Sequence, residues 1–145
     1  MFILIRHAGY NVGTGALTEE GVLCAKLFAE TIKERGNGWK EIHTSPATRT
    51  KMTAEIIGNT LDVPVKFDAR LGMEGNIVDL LPPSEPHQNI FVSHLPILTR
   101  LLRAWSNQFK IEEPPMVDIC TGYIIDTEQK SIVRIEPGTN TSQGS

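Results

Sequence analysis

The chain has 145 residues, 40% of them hydrophobic and 21% charged, which is apolar material for one core and excludes a second independent domain. Nine prolines and 12 glycines exclude a fibrous or wholly disordered chain. Fourteen Lys and Arg against 17 Asp and Glu give a net charge of −3 with no basic block, so no nucleic-acid partner is expected and any anion must be held locally.

Cys24 and Cys120 lie in apolar segments without CxxC spacing and are expected to be buried thiols of a reducing compartment, with neither a disulfide nor a zinc role. The apolar run Met1 to Ile5 is too short for a signal peptide or a membrane span. A cytoplasmic protein without a membrane partner is expected.

Phe2-Ile3-Leu4-Ile5 reads as a strand buried on both faces of a parallel sheet, and it runs into Arg6-His7. After a Gly-rich loop (8–16), Thr18 is predicted to cap a helix whose first turn carries Glu19 and Glu20, ending near Gly36. Lys40 to Thr44 reads as a second strand. Ser45-Pro46 predicts a helix start, with Ser at the N-cap and Pro at the first helical position, and the helix runs through Ile57 to Gly58. Val63 to Phe67 reads as an edge strand because Pro64 cannot donate to a ladder. A glycine-containing loop and the short apolar stretch Ile77 to Leu81 lead to a buried strand, Asn89 to Ser93, which ends at His94. Leu95-Pro96 opens a helix to about Asn107, and Val117 to Asp126 with Ser131 to Ile135 predict a terminal hairpin. One domain is expected over residues 1–136, followed by a polar tail, 137–145, expected to be disordered.

Alternating strands and helices predict a three-layer α/β/α sandwich with a mostly parallel central sheet. Ligands of such sheets bind outside the carboxyl ends of the strands. Arg6-His7, Ser45 to Arg49 and Ser93-His94 map to that edge. Two arginines and two histidines suit a phosphoryl dianion, because a guanidinium fork matches phosphate oxygens and keeps its charge. A histidine that donates one ring N–H to a backbone carbonyl has its other nitrogen free to attack phosphorus in line, and the second histidine, protonated, can bind the transferring group. No metal or other cofactor is needed. Arg49, in the first turn of a helix, opposes the helix dipole, which a bound anion would explain.

Leu4-Ile5-Arg6-His7-Ala8, Ala16-Leu17-Thr18-Glu19-Glu20-Gly21, Thr44-Ser45-Pro46-Ala47-Thr48-Arg49-Thr50 and Val92-Ser93-His94-Leu95-Pro96 follow one another in an order and spacing that resembles the histidine phosphatase, or phosphoglycerate-mutase-like, superfamily. Within it the short length is similar to the bacterial phosphohistidine phosphatases of the SixA type. The resemblance implies His7 as nucleophile, Arg6 and Arg49 as phosphate ligands and His94 as the second pocket histidine. Two positions depart from the family pattern. Ala8 stands where the family has glycine, which is tolerable unless positive φ is required there. The family's acidic residue is displaced here to Glu74, with Asp68 as the neighbouring carboxylate and no acid at all as the third alternative. A weak acid favours a P–N substrate, because a protonated imidazole leaves readily. Ser93 is a further candidate for phosphate, with a backbone partner as the alternative, and Asn11 and Thr14, in the loop after His7 that passes the pocket, are candidates to touch phosphate, with a flexible loop as the default. His43, His87, Trp39 and Trp105 are expected to be structural or solvated.

The expected function is a metal-independent phosphatase acting through a phosphohistidine at His7 on phosphohistidine in a protein partner. A phosphatase of small phosphomonoesters and a catalytically silent phosphate- or phosphoprotein-binding module are the alternatives. No residues remain for a lid, so the pocket is expected to be open, which suits a histidine presented on another protein.

Overall fold

The computed structural model describes residues 1–36, 38–84 and 88–138. Six strands form one sheet: β1 (Phe2–Arg6), β2 (Glu41–Thr44), β3 (Val65–Phe67), β4 (Asn89–Ser93), β5 (Gly122–Asp126) and β6 (Ser131–Ile135). Their spatial order is β3-β2-β4-β1-β5-β6. The first four run parallel, and β5 and β6 continue the sheet antiparallel. Three helices, α1 (Glu19–Arg35), α2 (Thr48–Leu61) and α3 (Leu95–Phe109), cover it.

Two apolar layers follow from the alternation of side chains along β1. Ile3 and Ile5 face α1 and α2, packing with Ala25, Phe28, Ile32, Ala54 and Ile57. Phe2 and Leu4 face α3, packing with Ile97, Leu98, Leu101 and Trp105. The continuous apolar run is thus explained by burial on both faces. The sandwich, its mixed but mostly parallel sheet and its two helical layers match the expected fold class.

Several boundaries differ from the sequence expectation, each for a local reason. Thr18 caps α1 as expected, its side chain accepting from the Gly21 N–H at 3.0 Å. α2, however, starts at Thr48 with Ala47 at the N-cap and not at Ser45-Pro46. The Ser45 N–H still donates to the Val92 carbonyl at 3.1 Å, which prolongs the sheet, and its hydroxyl is engaged by His94. α2 also passes through Gly58 to Leu61. That glycine marks close packing and not a helix end, since a Cβ there would lie 2.7 Å from Val65 Cγ2. Residues 117–121 are not strand, with a turn at 119–120; only from Gly122 does the hairpin become a strand. Cys24 is exposed, a correction to the expectation, because it falls outside the buried stripe of α1. Cys120 is buried beside it, and burial pushes its thiol up to about 12 with the Cys24 thiol as neighbour.

Gly138 lies against α1, where its N–H donates to Thr31 Oγ1 at 2.8 Å. Residues 139–145 of the expected tail, and His87, lie outside the described residues.

The loop after β1 is held by backbone contact with α1. The Gly9 carbonyl accepts from the Thr18 N–H at 3.1 Å, and a Cβ on Gly21 would lie 2.1 Å from that oxygen. Gly21→Ala is expected to lower stability by about 1–3 kcal/mol through this overlap. A urea midpoint equal to that of the unsubstituted chain would show that the loop yields freely.

Candidate active site

β1 and β4 are adjacent and parallel, with Arg6 opposite Ser93 in register. The next residue of each strand is therefore a histidine at the same sheet edge. The His7 and His94 rings lie 5.8 Å apart between centroids, and the residues are only 5% and 3% exposed.

The hydrogen bonds assign their tautomers. His7 Nδ1 is 3.0 Å from the Ala8 carbonyl, which can only accept, so Nδ1 carries the proton and Nε2 keeps its lone pair. Arg49 Nη2 donates to His94 Nδ1 at 3.2 Å, which leaves the His94 Nε2–H to donate to Ser45 Oγ at 2.9 Å. Ala8 is fully buried and is not among the residues with positive φ, so its methyl group replaces the expected glycine without strain. Its N–H donates to Thr53 Oγ1, and that hydroxyl donates to the Arg49 carbonyl, which couples the loop after β1 to the first turn of α2.

Arg6 reaches the same edge as the last residue of β1, with Nη1 donating to the Val117 carbonyl at 3.2 Å. Among the described residues, the buried side-chain polar atoms without a hydrogen-bond partner are Arg6 Nε and Arg49 Nε. An unpaired buried donor is costly, and both of these belong to guanidinium groups whose charges act on the His7 and His94 rings.

Electrostatics agree with these tautomers. Burial lowers the His7 pKa; the Ala8 carbonyl opposes that, and the Arg49 and Arg6 charges add to it. Burial and the Arg49 charge hold His94 at about 4, with smaller effects from His7 and Arg6. His94 is therefore neutral near pH 7, a correction to the expected protonated second histidine. The desolvation and the two arginines that a phosphate would attract are what exclude the proton. A dianion between those arginines would offset their charge and favour protonation again.

The depressed folded-state pKa values carry a sign. The unfolded imidazoles protonate near 6.5 and the folded ones lower, so over that interval the unfolded chain binds more protons. Their stability contribution is complete above about pH 6.5 and is lost as pH falls toward about 4. The urea midpoint is expected to drop between pH 7 and 4.5, and less steeply in His94→Gln. Equal slopes in the two proteins would contradict the assignment.

Other expected candidates are placed differently. Ser93 Oγ donates to the Leu71 carbonyl at 2.6 Å, so the backbone alternative describes it and a phosphate role does not follow. Glu74 is exposed, and among the described residues no hydrogen bond or ion pair ties it to the two histidines or two arginines. Asp68 is committed elsewhere: Arg70 clamps its carboxylate, which also meets His43 Nδ1 at 3.1 Å, and Arg70 holds its pKa below the ordinary value. Neither carboxylate is placed as a general acid. Asn11 and Thr14 turn their side-chain oxygens to the Gly13 and Ala16 N–H groups, closing their own loop. His43 is structural, between Asp68 and Glu41.

Ser45 was read from sequence as a helix cap; its part in fixing the His94 tautomer was missed. So was Tyr10, whose ring meets His7 edge-on at 5.2 Å and lies 4.8 Å below Arg49 Cζ. Nothing in a loop sequence distinguishes such an aromatic residue from one that merely packs. Among the described residues no group of three or more His, Cys, Asp or Glu side chains is arranged to hold a metal ion, and no described helix is long and apolar enough to cross a membrane.

Comparison with known proteins gives four findings. The profile of the histidine phosphatase superfamily, branch 1, matches residues 2–73. The chain is 40% identical over 65 residues to the mitochondrial serine/threonine-protein phosphatase Pgam5 of Drosophila virilis, covering 41% of this chain and only 22% of that longer protein. Among solved structures, it is similar to the protein histidine phosphatase SixA complexed with tungstate, with a TM-score of 0.71, 21% identity and coverage of 94% of this chain and 96% of that one. A phosphoglycerate mutase from Plasmodium falciparum follows with a TM-score of 0.59, 22% identity and coverage of 94% and 89%. At such identities the structural likeness establishes the fold.

Proposed function

Because the chain belongs to the histidine phosphatase superfamily, a superfamily of hydrolases, we propose that it is a phosphatase that forms a phosphohistidine at His7 and acts on phosphohistidine in a protein. The observation that carries the reaction class is the pairing of a free His7 Nε2 with two buried, unpartnered guanidinium nitrogens. His7 Nε2 attacks phosphorus, the bond to the leaving nitrogen breaks, and the departing imidazole retains its proton. Water then attacks the phosphoryl group on His7 Nε2, releasing phosphate and the free imidazole. Arg6 and Arg49 neutralise the equatorial oxygens, a task a metal ion performs in other phosphoryl-transfer sites.

Substrate class is argued from the leaving group. An alkoxide needs a proton delivered as it departs, and neither Glu74 nor Asp68 is placed to give one. An imidazolium needs none. A protein-borne substrate is supported by the way the edge is built, since its walls are short segments fastened to the body: residue 17 to Met52, residue 71 to Ser93 and residue 117 to Arg6. Pgam5 and SixA are both named as protein phosphatases, which agrees.

The test is a parallel assay on a phosphohistidine protein, a phosphoserine/phosphothreonine protein and a panel of small phosphoesters. Highest kcat/KM on phosphohistidine is expected. Turnover of esters alone would assign the chain to small phosphomonoesters, and tungstate binding without phosphate release would make it a silent binding module.

A further inference from the structure

We infer that Tyr10 is a positioning residue that holds the nucleophile and a phosphate-binding arginine in place through its ring. The inference rests on the proposed reading of His7 and Arg49. Its basis is geometric: one ring offers an edge-on contact to the His7 imidazole, with centroids 5.2 Å apart at 84°, and its face to Arg49, with Cζ 4.8 Å from the centroid.

Both groups must be held firmly, yet each needs its polar atoms free. A hydrogen bond to His7 Nε2 would block the lone pair that attacks phosphorus, and further hydrogen bonds to Arg49 would occupy donors meant for phosphate oxygens. A π face attracts the guanidinium as a cation while its N–H groups radiate in their own plane. An aromatic edge contact likewise fixes the plane of an imidazole without using its nitrogens. Tyr10 thus supplies orientation without competing for the polar atoms. Arg49 Nε, buried and unpartnered, is what such an arrangement leaves behind.

The ring itself is fixed from the other side. Tyr10 forms an antiparallel bridge with Leu17, and within that loop the Asn11 N–H donates to the Ala16 carbonyl at 2.8 Å. The Leu17 N–H lies 3.4 Å from Met52 Sδ, which anchors the loop to α2 near the turn that carries Arg49. Tyr10 is half-buried and packs against the core from its rim. Its removal therefore disturbs the site more than the fold.

The experiment compares Tyr10→Leu, which removes the π face, with Tyr10→Phe, which keeps it and removes the hydroxyl. Tungstate affinity, kcat and KM on the best substrate, and the thermal midpoint are measured on each. Tyr10→Leu is expected to weaken tungstate binding and lower kcat by about tenfold or more each, with a small change in thermal midpoint. Tyr10→Phe is expected to recover most of both losses. Unchanged kcat and affinity in Tyr10→Leu would overturn the inference, as would equal losses in the two variants, which would move the role to the hydroxyl. A lowered midpoint with full activity and affinity per folded molecule would also overturn it, leaving a structural role only. If the Leu variant does not fold, Tyr10→Met makes the same comparison. The tungstate measurement separates the two claims: absence of turnover in the unsubstituted chain rejects the proposed reaction, while the Tyr10 ring is still judged by anion affinity.

Discussion

His7→Ala is expected to abolish turnover, with a loss in kcat of about 10⁴-fold or more, while the chain stays folded. The reason is specific to one atom. His7 Nδ1 donates to the Ala8 carbonyl, so Nε2 has a lone pair in a site where burial and two arginines keep it unprotonated. No other described side chain combines these features. His94 presents Nδ1 to Arg49 and uses its Nε2–H on Ser45, so it cannot take over as nucleophile without breaking both contacts. Removing His7 deletes a partly desolvated imidazole that makes one hydrogen bond, and the β1 ladder on either side does not depend on it. Steady-state kinetics alongside circular dichroism check both halves. Activity within tenfold of the unsubstituted chain would assign the nucleophile elsewhere.

Arg49→Lys is the second large effect, about a hundredfold in kcat/KM. The guanidinium works in three directions at once: Nη2 donates to His94, Cζ lies over Tyr10, and Nε is unpartnered within the site. A lysine keeps the charge but has a single nitrogen at its tip. It can replace one of these contacts and not all, and it loses the planar fork that meets two phosphate oxygens together. The loss should fall on kcat as well as KM, because in the proposed reaction the fork meets equatorial oxygens whose charge is redistributed in the transition state. Near-normal turnover in Arg49→Lys would remove Arg49 from the phosphate site.

Much of the fold was legible because burial leaves a period in the sequence. The β1 run is apolar without alternation because both faces are covered, and Pro64 marked the outer strand because it cannot donate to a ladder. Local rules misread positions where tertiary contact took precedence. Ser45 has the features of a helix cap, yet His94 claims its hydroxyl; Gly58 resembles a helix end, yet it is the space Val65 needs. Cys24 has apolar neighbours in sequence but is exposed, beside the buried Cys120.

That Arg6, His7, Arg49 and His94 come together was legible because strand ends of a parallel sheet gather at one edge. Tautomers and protonation were not, since they depend on which atom meets a carbonyl, a hydroxyl or an arginine. Ser93 and Glu74 show the same limit in the other direction. The right residue type in the right block carries no role when its side chain is bound to Leu71 or left in solvent.

The phosphohistidine at His7 is the claim on which the rest depends, and it can be observed directly. The chain is mixed with a labelled phosphohistidine protein, quenched within the first turnover in alkali, which preserves phosphoramidates, and mapped by mass spectrometry. An acid-labile phosphoryl group on the peptide containing His7, formed before free phosphate accumulates and missing in His7→Ala, is expected. Phosphate release with no adduct on that peptide, or an adduct on a different residue, would contradict it.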